Sequence, residues 1–213
     1  MQSIALIDYG SGNLRSAEKA LIKASAGAGG ARQVLVTDDP EVIARADRIV
    51  LPGVGAFAAC MAAFRARPGL VEAIEEAVRQ RGAPFLGICV GMQLLATRGL
   101  EFGETTGLDW ISGDVRRLEP EGAGFKVPHM GWNDLLVGRS HPLFAGVEAA
   151  PMYFTHSFAL FPSRNEDVAA LVDHGGAVVA AVARDNIAGV QFHPEKSQSA
   201  GLRLLANFLD WRP

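Results

Sequence analysis

One short segment constrains the fold of this chain more than any other, because a single cysteine joins two apolar runs. Residues 83–88 predict a strand, Cys89 stands at its end, and residues 92–96 predict a helix after a glycine. A strand that turns directly into a helix needs small residues beside the turn and lifts the turn side chain above the sheet. It also places Cys89 at a helix N-terminus, where the helix dipole favours a thiolate. The alternative interpretation is an ordinary core cysteine behind a buried strand.

A histidine and a glutamate separated by one proline form a second motif, in the segment 190–195. Pro194 disfavours helix at His193, so the segment is predicted to be extended, and residues two apart then point to the same side. His193 and Glu195 would thus supply a base and the carboxylate that orients it. Together with Cys89 they make the set of groups that a cysteine hydrolase needs. Taken singly, His193 is typical of an ordinary histidine and Glu195 of a surface carboxylate.

Composition excludes several classes of function. With 213 residues, 49% hydrophobic and 20% charged, the chain is predicted to form a single globular domain over 1–213. A net charge of −3 without a basic patch argues against nucleic-acid binding, and no apolar run is long enough to span a membrane. Two cysteines form no disulfide framework, and no signal-peptide pattern opens the sequence, so a cytoplasmic location is expected. Cys60 is predicted to be a buried small side chain, and no metal-ligand spacing is present.

Strands and helices alternate in the first half of the chain, which predicts an α/β fold with a mostly parallel central sheet flanked by helices. The second half predicts an additional antiparallel strand region and a closing helix at 197–211. Predicted strands are 3–8, 33–37, 49–51, 84–88, 114–118, 125–127, 133–137, 152–155, 168–172, 178–183 and 187–192, and the other predicted helices are 14–24, 58–64 and 70–81. Since parallel strands end at one edge, the loops 8–13 and 52–55 should meet the Cys89 turn there.

A thiolate that attacks an acyl group creates an oxyanion, which backbone N–H groups usually bind. One candidate donor is Val90, directly after the cysteine, and another comes from the glycine-flanked turn 53–55. Gln93, one helical turn beyond Cys89, either faces the same pocket or is a solvated helix residue. Polar and aromatic residues cluster at 126–133 and 153–157, where a pocket, an interface and a core remain equally open.

These motifs resemble those of the class I, triad-type glutamine amidotransferases, through the segment 87–93 and the His193-Pro194-Glu195 motif. Further segments are similar to one subfamily, the glutaminase subunits of imidazole glycerol phosphate synthase: 8–13, 52–55, 127–133, 153–157 and 193–197. The resemblance runs from the first strand to the last helix and implies a flavodoxin-like, class I glutamine amidotransferase fold. Val90 departs from the family pattern, where leucine is more usual, and a glycine-rich loop at 27–31 is longer than is common.

The resemblance implies that Cys89 attacks the side-chain amide of glutamine, that His193 transfers protons and that Glu195 orients the imidazole. A glutamyl thioester is then hydrolysed to glutamate, without a cofactor or metal. The ammonia passes to a (β/α)8-barrel cyclase subunit, which makes imidazole glycerol phosphate and aminoimidazole carboxamide ribotide in histidine biosynthesis. The family's other roles fall on Val54 and Val90 in the oxyanion hole, on Gln93, His156 and Ser157 at glutamine, and on Asn13, Trp132 and Lys196 at the cyclase interface.

Three other functions remain to be weighed. A glutaminase of anthranilate, aminodeoxychorismate or pyridoxal phosphate synthesis is disfavoured by Lys196-Ser197 and by the cluster at 128–133. An elbow-cysteine peptidase or a glyoxalase-like protein would need neither Gln93 nor the late histidine motif. The complete triad argues against a non-catalytic binding protein, although a triad alone does not prove turnover.

Overall fold

The computed structural model describes residues 1–26 and 31–213, and the largest sheet formed by these residues has eight strands. Five neighbouring strands run parallel, and three antiparallel strands extend the sheet at one edge. In spatial order the strands are β2 (Arg32–Thr37), β1 (Gln2–Ile7), β3 (Arg48–Gly53), β4 (Phe85–Cys89), β14 (Ile187–Val190), β13 (Ala177–Arg184), β12 (Val168–Asp173) and β9 (Leu136–Val137).

Two smaller sheets complete the strand structure. The first pairs β8 (His129–Asp134) with β10 (Pro151–His156), and the second contains, in order, β11 (Phe158–Pro162), β7 (Gly113–Arg117), β5 (Arg98–Gly99) and β6 (Thr105–Thr106). The α-helices are α1 (Leu14–Ser25), α2 (Pro40–Arg45), α3 (Phe57–Arg65), α4 (Leu70–Glu75), α5 (Val90–Gln93) and α6 (Gln198–Asp210). A π-helical segment spans Glu76–Gln80, and 3-10 turns span Pro142–Phe144, Asn165–Asp167 and Pro194–Lys196.

The central strands are apolar because both of their faces are covered. Every residue of β3 and of β4 is buried, and so is every residue of β14. Strands buried on both faces lose the alternation of apolar and polar residues and become nearly continuous apolar runs. The sheet therefore places β4 and β14, which carry Cys89 and lead to His193, side by side at its centre.

A buried arginine ties the sheet to the last helix. Arg48 in β3 is 3% exposed, and its guanidinium donates to the carbonyl oxygens of Phe208 and Trp211 at 2.9 and 2.8 Å. These carbonyls lie at the C-terminal end of α6, where backbone acceptors lack helical partners and a cation is favourable. Burial, together with nearby cations, lowers the pKa of Arg48 to about 10, which leaves it charged at neutral pH.

The fold class predicted from the sequence is confirmed, with a mostly parallel central sheet, flanking helices and an antiparallel region. The buried position of Cys60, which is 2% exposed, is also confirmed. The glycine-rich loop noted at 27–31 falls, for residues 27–30, outside the described part of the chain. Within residues 1–26 and 31–213, no helix has the length and hydropathy to cross a bilayer.

Several element predictions were wrong. Residues 125–127 form no strand, because Pro128 follows and the Lys126 carbonyl accepts a hydrogen bond from the His174 ring instead of a ladder partner. The strand expected at 133–137 is divided between β8 and β9, and β11 was not predicted. The helix α2 was also missed, although Asp39 caps it by accepting from the Glu41 N–H at 2.9 Å and Pro40 is its first residue.

Two predicted helices end early for visible reasons. The helix expected at 92–96 ends at Gln93, because the carbonyl groups of residues 94–96 accept hydrogen bonds from the backbone of residues 108–111. The helix expected at 70–81 changes after Glu75 into the π-helical segment, which closes with a bond from the Arg81 N–H to the Glu76 carbonyl at 3.0 Å.

Candidate active site

Cys89 occupies a strained turn between β4 and α5. Its φ is +55° and its ψ is −114°, a conformation that side chains other than glycine rarely adopt. The turn is tight: a Cβ on Gly87 would lie 2.5 Å from the Gly91 carbonyl oxygen, and one on Gly91 would overlap the carbonyl oxygen of Leu51. The expected need for small residues beside the cysteine is thus confirmed. Since α5 has only four residues, its dipole makes a small contribution to thiolate stability.

His193 meets this turn because β14 is the direct neighbour of β4, with Val190 paired to Ile88. The ring Nδ1 of His193 lies 2.8 Å from Oε1 of Glu195, and each side chain is 3% exposed. Backbone contacts hold the histidine: its N–H donates to the Tyr153 carbonyl at 2.9 Å, and the Ser197 hydroxyl donates to its carbonyl at 2.6 Å. The structure therefore brings Cys89, His193 and Glu195 together.

The local structure of this motif differs from the prediction. His193 is extended, with φ −102° and ψ 95°, but a 3-10 turn begins at Pro194 and closes with the Lys196 N–H on the His193 carbonyl at 3.0 Å. The expectation of an extended segment is therefore right for His193 and wrong for Glu195. The carboxylate reaches the imidazole because the turn brings it back toward the ring.

The charges around His193 favour its protonated form. Burial lowers the pKa of this imidazole, but hydrogen bonds and charge from Cys89 and Glu195 outweigh burial and raise the pKa to about 9. An imidazolium beside the sulfur stabilises a thiolate, which is the nucleophilic form of cysteine. The second carboxylate oxygen of Glu195, Oε2, is buried without a hydrogen-bond partner among the described residues.

A cavity of about 340 Å³ opens over Cys89, a volume suited to a small metabolite. It contains most of the predicted substrate-binding and oxyanion residues, and its lining consists of Val54, Gly55, Cys89, Val90, Gln93, Glu101, Pro128, Thr155, His156, Ser157, Phe158, His193 and Lys196. Asn13 lies outside it and lines a much smaller cavity, about 10 Å³, behind His193 and Glu195. Trp132 also lies outside it, half exposed on β8, with its ring 5.9 Å from that of Tyr153.

Gln93 is buried rather than solvated, with 4% of its surface exposed. Its amide nitrogen donates to the Phe158 carbonyl at 2.9 Å and to Oε1 of Gln191 at 3.0 Å. Both hydrogens of the amide are therefore used inside the protein. What Gln93 offers to a ligand in the cavity is its carbonyl oxygen, an acceptor.

The turn 53–55 lies against the other two loops, as expected from the sheet. The N–H of Val54 donates to the Ser11 hydroxyl at 3.3 Å, and the Val54 carbonyl accepts from that hydroxyl at 2.8 Å and from the Cys60 thiol at 3.3 Å. A Cβ on Gly53 would lie 2.7 Å from the Gly91 nitrogen, so this turn also touches the cysteine elbow. The Val54 N–H is thus bonded to Ser11 in this structure rather than directed at the cavity.

His156 belongs to a buried histidine pair. Its Nε2 lies 3.0 Å from Nδ1 of His129, and its own Nδ1 lies 2.9 Å from the Phe158 carbonyl. That carbonyl is only an acceptor, so Nδ1 of His156 carries the proton and the ring is neutral. Burial is the main reason that the pKa of His129 falls to about 3 and that of His156 to about 4.

Two polar residues of the site were not predicted. Glu101 lies in the cavity wall, where its carboxylate accepts from the Phe57 N–H at 2.8 Å. Nothing in its surroundings in the sequence distinguishes it from a surface carboxylate. Gln191 is fully buried next to Cys89, and its signal was available: a polar residue between Val190 and Phe192 interrupts an apolar run.

The sequence and fold were compared with known proteins. A family model described as glutamine amidotransferase class-I matches residues 5–211. Imidazole glycerol phosphate synthase subunit HisH of Caulobacter vibrioides is 61% identical over 214 residues, covering 100% of both chains. The subunit HisH of Ruegeria pomeroyi is 55% identical over 210 residues, covering 98% of this chain and 99% of that protein.

Solved structures agree at the level of fold. A crystal structure described as a glutamine amidotransferase superimposes with a TM-score of 0.70 at 18% identity, covering 97% of each chain. The crystal structure of a GMP synthase component from Thermoplasma acidophilum gives a TM-score of 0.66 at 21% identity, covering 99% of this chain and 93% of the other.

Proposed function

Since this chain belongs to the class-I glutamine amidotransferases, and among them to the HisH subunits of imidazole glycerol phosphate synthase, we propose that Cys89, His193 and Glu195 carry out its chemistry. Membership makes the chain the glutaminase subunit of that enzyme, in histidine biosynthesis. The observation that carries the residue assignment is the meeting of the strained Cys89 turn with the buried His193–Glu195 pair, at the floor of one cavity.

The chemistry follows from this arrangement. The Cys89 thiolate attacks the side-chain carbonyl carbon of glutamine, and the carbon–nitrogen bond breaks as the His193 imidazolium gives its proton to the leaving ammonia. The product is a glutamyl thioester. Neutral His193 then takes a proton from water, the resulting hydroxide displaces the sulfur, and glutamate leaves. Glu195 keeps the imidazole in position and stabilises its charged form.

The cavity wall suits the ends of an amino acid. Glu101 is an anion that matches the ammonium group of glutamine, and the carbonyl oxygen of Gln93 can accept a hydrogen bond from the substrate. His156 and Ser157, at the end of β10, also line the wall and are assigned to the substrate as well. Lys196 supplies a cation at the same cavity.

The oxyanion of the tetrahedral intermediate is assigned to the N–H groups of Val90 and Val54. The Val54 N–H has to leave the Ser11 hydroxyl and turn toward the cavity to play this role. Gly53 and Gly55, the latter with φ +100°, flank this peptide and permit the rotation. We therefore expect the isolated chain to hydrolyse glutamine very slowly.

The chain is one subunit of a complex, and the partner is assigned as a (β/α)8-barrel cyclase that receives the ammonia. Met130 and Trp132 support this, because they lie two residues apart on β8, share a face and are 64% and 48% exposed. Asn13 and Lys196 are assigned to the same interface. We place the complex in the cytoplasm, and we assign residues 1–213 to one domain, because β14 pairs both with the first-half strand β4 and with β13.

The test is glutamate release from glutamine by this chain alone, with the cyclase, and with the cyclase plus its nucleotide ligand. Strong stimulation by partner and ligand is the expected result. Fast hydrolysis by the chain alone would contradict the proposed inactive Val54 conformation and favour a stand-alone hydrolase. Absence of hydrolysis under all three conditions would contradict the proposed chemistry.

A further inference from the structure

Gln191 is a fully buried amide to which the proposed mechanism gives no role. It directly follows β14 and precedes His193 by two residues, with 0% of its surface exposed. Its backbone N–H donates to the Ala180 carbonyl at 2.8 Å, which anchors it to β13. Its side chain extends to the nucleophile, where Nε2 lies 3.8 Å from the Cys89 sulfur.

The direction of this amide is determined by the groups behind it. The Phe158 carbonyl can only accept, so the Gln93 atom that lies 2.9 Å from it is the nitrogen. That same nitrogen also donates to Gln191, so the Gln191 atom at 3.0 Å is the oxygen. The remaining end of Gln191, toward Cys89, is then its NH2 group. A backbone carbonyl thus resolves the orientation of two side-chain amides whose shape alone would leave it open.

We propose that Gln191 is a further catalytic residue, whose amide donates a hydrogen bond to the Cys89 sulfur and stabilises the thiolate. This inference rests on the proposed function, in which Cys89 is the nucleophile. No proton moves to or from the amide.

The need for such a donor follows from burial. Cys89 is 4% exposed, so water contributes little to solvating a negative sulfur. His193 supplies charge, but it gives its proton away when ammonia leaves. Gln191 is neutral and remains a donor throughout, so it also stabilises the thiolate that departs when water cleaves the thioester. A hydrogen bond to a charged group contributes about 1.5–3 kcal/mol, enough to matter at a buried sulfur.

The test follows the alkylation of Cys89 by iodoacetamide as a function of pH, with the full chain and peptide mass spectrometry to separate Cys89 from Cys60. Gln191→Met keeps the length of the side chain and removes the donor. We expect the midpoint of the pH–rate profile to move up by about one pH unit, so that alkylation below the midpoint slows about tenfold. This readout needs no glutaminase activity, so it separates failure of the inference from failure of the proposed function.

Asn186→Leu is the matched control. Asn186 directly precedes β14, and its amide donates to the carbonyls of Val78 and Ala83 at 2.8 Å each, at the end of the strand opposite the cysteine turn. We expect this variant to lose stability and to keep the wild-type midpoint. An unchanged midpoint in Gln191→Met, or an equal shift in Asn186→Leu, would overturn the inference, because loss of packing would then explain the effect.

A measurement on the wild-type chain keeps the inference testable if Gln191→Met does not fold. In a proton–nitrogen NMR spectrum, the side-chain amide of Gln191 should shift as pH crosses the alkylation midpoint, because its hydrogen bonds to the atom that changes charge. A resonance that stays constant through that midpoint would show that the amide does not bond to the sulfur.

Discussion

Gly91 rests against Leu51 so closely that a Cβ on the glycine would overlap the leucine carbonyl oxygen. Leu51 lies in β3, the strand next to β4, so the turn that carries Cys89 is wedged onto the backbone of its neighbour. The position of the nucleophile therefore depends on contact between two backbones, which leaves no room for adjustment by a side chain.

Gly91→Ala is expected to destabilise the fold by about 3 kcal/mol or more, because β3 and the turn must separate to admit the methyl group. Urea unfolding measures the loss. Gly138→Ala is the control, since a Cβ there meets nothing within 4 Å, and we expect a change within about 0.5 kcal/mol. Wild-type stability in Gly91→Ala would show that the turn is looser than described.

Cys89→Ala is expected to lower glutamine hydrolysis by about 10⁴-fold or more, because the nucleophile is lost. Binding to the cyclase should stay intact, since Cys89 is buried at the cavity floor and does not reach the surface. Glutamate release and gel filtration with the partner measure the two effects. Full turnover by this variant would remove Cys89 from the mechanism.

Glu195→Gln is expected to lower the pKa of His193 from its value of about 9, because the substitution removes one of the negative charges that outweigh burial. NMR titration of the imidazole measures that shift. Hydrolysis should fall about 100-fold or more, since the imidazole loses its orientation and charge partner. An unchanged titration midpoint would contradict the assigned role of Glu195.

The raised pKa of His193 also predicts how stability depends on pH. The folded protein holds a proton that an unfolded histidine loses near pH 6.5, so the stabilisation is complete below about pH 6.5 and disappears as pH rises through about 9. The difference in unfolding free energy between wild type and Glu195→Gln should therefore narrow over that range.

The pair His129–His156 predicts a loss of stability in mild acid. Both pKa values are lowered, to about 3 and about 4, so below pH 6.5 the unfolded chain binds protons that the folded chain excludes. Each histidine then contributes a slope of up to about 1.4 kcal/mol per pH unit. His129→Gln should show a shallower fall than wild type in urea unfolding at pH 7, 6 and 5. Parallel curves would mean that His129 titrates normally.

Arg48→Met is expected to destabilise the fold by about 3 kcal/mol, because the carbonyls of Phe208 and Trp211 lose charged donors in a buried place. Arg45→Met serves as the control: this side chain is 83% exposed and its contact with Glu41 is 3.8 Å long, so a change within about 0.5 kcal/mol is expected. Equal effects of the two substitutions would remove the capping role of Arg48.

The sequence was sufficient for the parts of the site that depend on local geometry. The small residues around Cys89 follow from the tight turn, and the neighbouring strands β4 and β14 bring the two motifs together as the α/β pattern implies. The 3-10 turn at Pro194 was missed because proline at a first helical position and proline in an extended segment look alike in sequence.

Other parts depend on contacts between distant residues. Gln93 is oriented by the carbonyl of Phe158, which lies 65 residues away in the chain, and Gln191 by Gln93, 98 residues away. The early end of α5 depends on the loop 108–111, whose backbone takes the carbonyls that would continue the helix. No periodicity within one segment encodes such partners, so they became visible only in the folded chain.

The positive φ of Cys89 bears on how such chains evolve. A cysteine held at φ +55° costs about 1–3 kcal/mol relative to a residue without a Cβ, and catalysis is the reason to keep it. A descendant relieved of hydrolysis would gain stability by placing glycine at position 89 and would find few other residues acceptable there. Glycine at the elbow would then mark a lineage that retains the fold and its partner contacts while having abandoned the reaction.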